Sequence, residues 1–219
     1  MTEQGGFSFQ GMGGQQVICI PDKKLIFVCT GDNQFNAMAG EILYDAVFDH
    51  LSPDEKVYRS PAHCMVQDGM KETALTKEIS GKWFACNPNP SGITKFRLTF
   101  DGDEGVFEYE NAQGEKKLPF GIGKNVFGKF PQRGYSNGRG NVHDENDPFL
   151  LGCAASAAWV DEKTLMLFTQ IIDRYFGTLI MTFGFRGKDV CGFRMVKNAE
   201  DFLQEYNGTL FAYMIPDQH

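Results

Sequence analysis

Breaking or making a bond needs a nucleophile beside a base, so the hydroxyls, thiols and imidazoles of this chain come first. Ser8, Ser52, Ser60, Ser80, Ser91, Ser136 and Ser156 all lack a lysine three positions on, as does every threonine. The Ser-x-x-Lys arrangement, in which the lysine one helical turn away deprotonates the serine, is therefore missing. A His-Glu-x-x-His helix, a Gly-x-x-x-x-Gly-Lys-Ser/Thr phosphate loop and a dinucleotide Gly-x-Gly-x-x-Gly are also absent from the sequence, and the one Gly-x-Ser-x-Gly match, Gly134-Tyr135-Ser136-Asn137-Gly138, falls in a polar loop rather than at the strand-to-helix turn that a nucleophile elbow needs. His63 and Cys64 set a base next to a thiol, but sequence neighbours on a strand point to opposite faces, so adjacency does not make a dyad. His50 falls in the last turn of a candidate helix, where a cation suits the helix dipole, and no second metal ligand stands near it.

Oxygen ligands are concentrated in one polar stretch, where Asn141, Asp144, Glu145 and Asp147 accompany Arg133 and Arg139. Their spacing does not follow a calcium-binding EF-hand loop, and a solvated loop accounts for them. Cys19, Cys29, Cys64, Cys86, Cys153 and Cys191 include no Cys-x-x-Cys pair, which leaves zinc ribbons and thioredoxin-like motifs without support. Cys19, Cys29 and Cys191 lie within apolar runs and read as buried free thiols, consistent with a reducing compartment. No metal and no cofactor is implied.

The 219 residues are 42% hydrophobic and 22% charged, an ordinary balance for a folded domain. A net charge of −7 argues against a nucleic-acid or anionic-membrane surface, both of which reward excess Lys and Arg. No apolar run reaches the ~20 residues of a membrane helix. The polar, glycine-rich N-terminus does not read as a signal peptide, and a cytoplasmic location is favoured.

The elements that would position these residues fall into two groups. Val17 to Ile20 and Leu25 to Cys29 flank Pro21-Asp22-Lys23-Lys24 and read as a hairpin, preceded by the alternating Phe7-Ser8-Phe9. The runs do not alternate, so burial on both faces is expected. An amphipathic helix is expected from Phe35 to Leu51, stopped by Ser52-Pro53. Residues 52–80 read as a linker, with Ala74 to Ile79 a helical turn or a short strand.

From residue 81 to 219 the pattern is β-rich. Strands are expected over Lys82 to Cys86, Thr94 to Phe100, Gly105 to Glu110, Glu115 to Pro119, Val126 to Phe130, Leu150 to Val160, Thr164 to Ile172, Gly177 to Arg186, Val190 to Lys197 and Thr209 to Met214. The least regular segment, residues 121–148, interrupts them and holds a long polar loop over residues 131–148, and a short helix is expected over Ala199 to Tyr206. Short turns between sequential strands argue an antiparallel meander closed as a barrel or packed as a sandwich. Trp83 reads as a core plug and Trp159 as a turn-flanking residue.

Gly11-Met12-Gly13-Gly14-Gln15, Ile20-Pro21-Asp22-Lys23 and Thr30-Gly31-Asp32 together resemble the C-terminal end of the serine β-lactamase and penicillin-binding-protein superfamily, in its esterase-like branch. The likeness covers about the first fifty residues. It implies an α+β, mostly β chain: residues 1–51 the closing hairpin and helix of a hydrolase sheet, 52–80 a linker, and 81–219 an appended lipocalin-like antiparallel domain. Ile79-Ser80-Gly81-Lys82-Trp83 is similar to the Gly-x-Trp opening of lipocalin-like barrels.

The resemblance places Phe9, Gln10 and Gly11 in the slot of the cleft-lining Lys-Thr-Gly triplet, with Gly13 and Gly14 in the glycine segment behind it. The cationic member has no counterpart. Two functions are then expected. One is a non-catalytic accessory region of a serine hydrolase, covering the cleft or selecting substrate. The other is a free-standing β-barrel that binds an apolar small molecule, for which the twenty phenylalanines allow a cavity. The expected partners are a second copy of the chain, a missing N-terminal catalytic region, or that small molecule.

Overall fold

The computed structural model describes residues 5–11, 14–30, 64–131, 150–172, 176–198 and 208–216. The chain divides into two compact units, residues 1–62 and 63–219.

In the first unit β1 (Phe7–Gly11), β2 (Gln15–Ile20) and β3 (Leu25–Cys29) form an antiparallel sheet in chain order. A single 3-10 turn, Pro21–Lys23, joins β2 to β3, and Lys24 closes it in the left-handed region at φ 51°. Ile18 and Ile20 are buried on one face, while Phe7, Phe9, Ile26 and Val28 stand exposed on the other. The expectation of burial on both faces is corrected: an unbroken apolar run sets no parity, and only one face of this sheet is covered. The expected helix over Phe35 to Leu51 lies outside the described residues, as does His50.

The second unit is a barrel. Its strands are β4 (Trp83–Cys86), β5 (Lys95–Asp101), β6 (Glu104–Asn111), β7 (Gly114–Ile122), β8 (Val126–Lys129), β9 (Gly152–Asp161), β10 (Thr164–Ile172), β11 (Phe176–Arg186), β12 (Val190–Asn198) and β13 (Gly208–Met214). Each of the ten expected strands is found, within three residues at either end. The sheet runs β10-β11-β12-β13-β4-β5-β6-β7-β9-β8 and closes on itself where β9 also pairs with β10. The barrel alternative is therefore the observed one, and the sandwich is not. Residues 132–149, most of the polar loop, and the expected helix over Ala199 to Tyr206 lie outside the described residues.

Closure is uneven. β7 meets β9 in parallel only at Gly121↔Ser156 and Ile122↔Ala157. The chain then turns sharply, and β8 takes the rest of that edge of β9, from Val126↔Ala155 to Lys129↔Gly152. A Cβ at Gly121 would collide with the Lys124 carbonyl, so only glycine lets the turn fold this tightly. Beyond the turn β7 and β8 share no backbone ladder, which leaves a seam in the wall.

Short turns at residues 101–104, 161–164 and 186–190 gather at one end, called here the helix end. There α1 (Ala74–Ile79) caps the barrel: Ser80 Oγ accepts the Phe100 N–H at 3.0 Å and Leu98 O accepts the Gly81 N–H at 2.8 Å. The segment before α1 lies along the outside of β9. The Gln67 N–H donates to Ser156 Oγ at 2.9 Å, and Met70 and Trp159 exchange backbone bonds at 2.8 and 2.9 Å. That cover explains why nearly all of β9 is buried on both faces. At the opposite, distal end lie the Asn111–Gly114 turn and the connections that leave β8, β10 and β12.

Candidate site in the barrel interior

Strand parity decides what enters the bore. On β5 and β6 the inward residues include Phe96, Leu98, Phe107 and Tyr109; on β11 and β12 they include Met181, Phe183, Phe193 and Met195. Near the helix end the rings meet across the bore. Phe107 lies 5.3 Å from Phe183 and 5.6 Å from Phe193, while Phe96 lies 5.5 and 5.6 Å from the same pair. Phe183 and Phe193 stack at 4.3 Å, only 6° from parallel. Trp159, fully buried, extends this plug against Phe185 at 5.9 Å. Rings on opposite walls in direct contact leave no channel at this level.

The composition changes toward the distal end. Next to the aromatic plug comes a layer of Ala157, Leu167, Met181 and Met195, neighbours in register across β9 to β12. Beyond it come Ala155, Thr169, Leu179 and Lys197. Thr169 is fully buried and its Oγ1 has no hydrogen-bond partner among the described residues. Lys197 is 8% exposed and shares the inward parity of Met195.

Lys116, on β7, shares the parity of the buried Leu118 and Phe120 and is 2% exposed. Its ammonium donates to the Gln113 carbonyl at 2.9 Å, and no carboxylate pairs with it among the described residues. Burial pulls its pKa below the ordinary lysine value. Tyr109 stands opposite it across the ladder, its phenol held neutral by the same desolvation.

Outside the same wall every charge has company. Lys117, next in sequence, reaches Glu108 at 3.4 Å; Arg97 grips Glu108 with two nitrogens; Lys95 pairs with Glu110 at 2.7 Å. The Arg97 hydrogen bond holds the Glu108 carboxyl below the usual carboxylate range. Trp83 lies on this outer face beneath Lys95 and Arg97, at 4.9 and 4.7 Å. The two tryptophans thus exchange their expected roles: Trp159 is the core plug and Trp83 a surface ring.

The residues singled out from sequence do not gather here. Phe9, Gln10 and Gly11 lie on β1, Phe9 65% exposed, with Gln10 opposite Gln16 and Gly11 opposite Gln15. Gly14 sits at φ 76° ahead of β2, and Gly13 is outside the described residues. All six cysteines are free; burial raises Cys86 and Cys153 to about 12, so these thiols are poor nucleophiles. No cluster of His, Cys, Asp and Glu among the described residues could hold a metal. The inward Lys116, Thr169 and Lys197 were missed. Their signal was parity, since Lys116 stands two residues from Leu118 and Lys197 two from Met195, on the same face of each strand.

No family model matches the chain, and a search of curated proteins returned no match. Similar solved structures include a REP1-NXSQ fatty acid transporter (10% identical, 65% of this chain and 99% of that one, TM-score 0.41). Others are a Schistosoma mansoni fatty acid binding protein in complex with arachidonic acid (12%, 66% and 100%, TM-score 0.42) and human cRBP IV (12%, 62% and 96%, TM-score 0.36). Likeness this distant transfers neither lineage nor ligand.

The resemblance to β-lactamases and penicillin-binding proteins is nevertheless corrected. The similar structures named above include fatty acid transport and binding proteins, and no family model supports a hydrolase fragment. With it go the hydrolase-sheet remnant and the accessory-domain function; the cleft role of Phe9, Gln10, Gly11, Gly13 and Gly14 rested on that resemblance alone. Among the described residues no helix is long and apolar enough to cross a membrane.

Proposed function

We propose that the second unit is a binding protein for a small apolar molecule, held in the distal half of the barrel with its one polar group among Lys116, Thr169 and Lys197. The observation that carries this reading is Lys116: a lysine 2% exposed, with one carbonyl acceptor and, among the described residues, no carboxylate partner. Placing such a group inside costs several kcal/mol unless something pairs with it, and an apolar residue would fill the position more stably. The unpartnered Thr169 hydroxyl points to the same need.

Met181 and Met195 stand side by side on adjacent strands in the layer beneath. Unbranched thioether chains repack readily, so a tail enters by displacing them rather than by filling a standing void. The aromatic plug limits its depth, which favours a short chain over a long one. The six free thiols suit a reducing compartment.

Isothermal titration with decanol and with decanoate tests the reading. Saturable binding at one site per chain is expected, weakened in Thr169→Val, because that change removes the hydroxyl while keeping the volume. Absence of saturable heat for both compounds, with a correctly folded protein, overturns it.

A further inference from the structure

We infer that Lys116 is a nucleophilic amine that captures an apolar aldehyde as an imine. The inference rests on the proposed binding of an apolar molecule and names its reactive class. Three features of the site meet at this side chain. The first is the setting of the nitrogen. Its partner is a carbonyl oxygen, Gln113 O at 2.9 Å, a dipole rather than a full counter-charge and one to which a neutral amine can also donate. The cross-strand neighbour Tyr109 is buried and uncharged, so it does not stabilise the ammonium as a carboxylate would. Burial accordingly favours the neutral, nucleophilic form. Lys117, one residue along, shows the opposite design, facing Glu108 on the outer wall.

The second feature is access. β7 carries Lys116 and borders the seam, where no backbone ladder ties it to β8. In this inference an aldehyde reaches the amine along that seam. The third is the apolar lining of the same strand: Leu118 and Phe120 follow Lys116 on the inward face.

The chemistry balances without a further reactant. The Nζ lone pair adds to the carbonyl carbon, the C=O π pair moves to oxygen, and a proton passes from nitrogen to that oxygen to give a carbinolamine. Loss of the hydroxyl with a proton, as water, leaves the C=N bond. Amine and aldehyde become imine and water, with no change in oxidation state.

The test uses the full chain, decanal and sodium borohydride, which fixes an imine as a stable secondary amine, followed by intact mass and peptide mapping. Decanol, which cannot form an imine, is titrated in parallel. The inference predicts close to one adduct per chain, mapped to Lys116, and at least about ten-fold less trapping in Lys116→Arg, which keeps the cation but not the accessible neutral amine. Lys116→Met serves as a second variant should the arginine disturb folding. If decanol binds but the adduct is absent, is scattered over surface lysines, or persists in both variants, the inference is overturned and the binding reading stands. If neither decanol nor decanal is taken up, both fall together.

Discussion

The two ends of the barrel bore are built on different principles. Toward the helix end, phenylalanines from β5 and β6 touch those from β11 and β12, and the space is filled by rigid rings with few rotamers. Toward the distal end the inward residues are alanine, leucine and methionine, followed by a buried hydroxyl and two lysines. One half satisfies the rule that interiors are apolar and close-packed; the other half breaks it. A barrel needs only one well-packed half to hold its strands in register, which frees the other half to carry groups that cost stability.

The sharpest way to break this contrast is to empty one position in each half. Phe193→Ala removes a ring that stacks on Phe183 and touches two rings of the opposite wall, and should cost about 3–5 kcal/mol in urea unfolding. Met195→Leu, one inward position further along the same strand, should cost under about 1.5 kcal/mol because its layer adapts. Comparable losses at the two positions would show that the distal half is as tightly built as the plug.

The next effect has the opposite sign. Lys116→Met should stabilise the free protein by about 1–3 kcal/mol at neutral pH, since it replaces a buried ionisable group with an apolar one of similar length. The pH dependence follows from the depressed lysine. Between its folded value and the ordinary lysine value the unfolded chain binds more protons, so the native protein gains stability as pH rises through that window. Lys116→Met should flatten that alkaline rise. If the variant is less stable than the parent, the ammonium is compensated and the contrast between the two ends weakens.

A smaller effect sharpens the comparison on the outer wall, where charge is paired. Glu108→Gln should lose about 1–2 kcal/mol, because Arg97 and Lys117 both give up their carboxylate. The folded carboxyl lies below its unfolded value, so its contribution is present above the ordinary carboxylate range and disappears as pH falls through the folded value. Acid unfolding monitored by circular dichroism should therefore show a shallower decline in the variant. An unchanged acid profile would mean that the ladder is not a source of stability.

The strand pattern was legible residue by residue. Phe96, Leu98 and Phe100 alternate with Arg97 and Thr99, and the turn chemistry of Asp101-Gly102-Asp103 marks the hairpin that follows. Where both parities are apolar the sequence was silent. In Trp83-Phe84-Ala85-Cys86 either face could have been the inner one, and the neighbours of β4 put Phe84 inside and Trp83 out. On β9 the outward Ser156 is as buried as the inward alanines, because residues 64–70 cover the strand. The first fifty residues misled for a related reason: glycine turns and apolar hairpins satisfy local rules shared by many folds.

The sequence by itself determined the strands and their turns, since these depend on residues within a few positions of one another. Only the tertiary structure decided that the sheet closes, that the bore is blocked at one end, and that Lys116 rather than Lys117 lies inside without a counter-charge. Those outcomes depend on which strands meet around a closed wall, and alternation along a single strand holds no information about its partners on the far side.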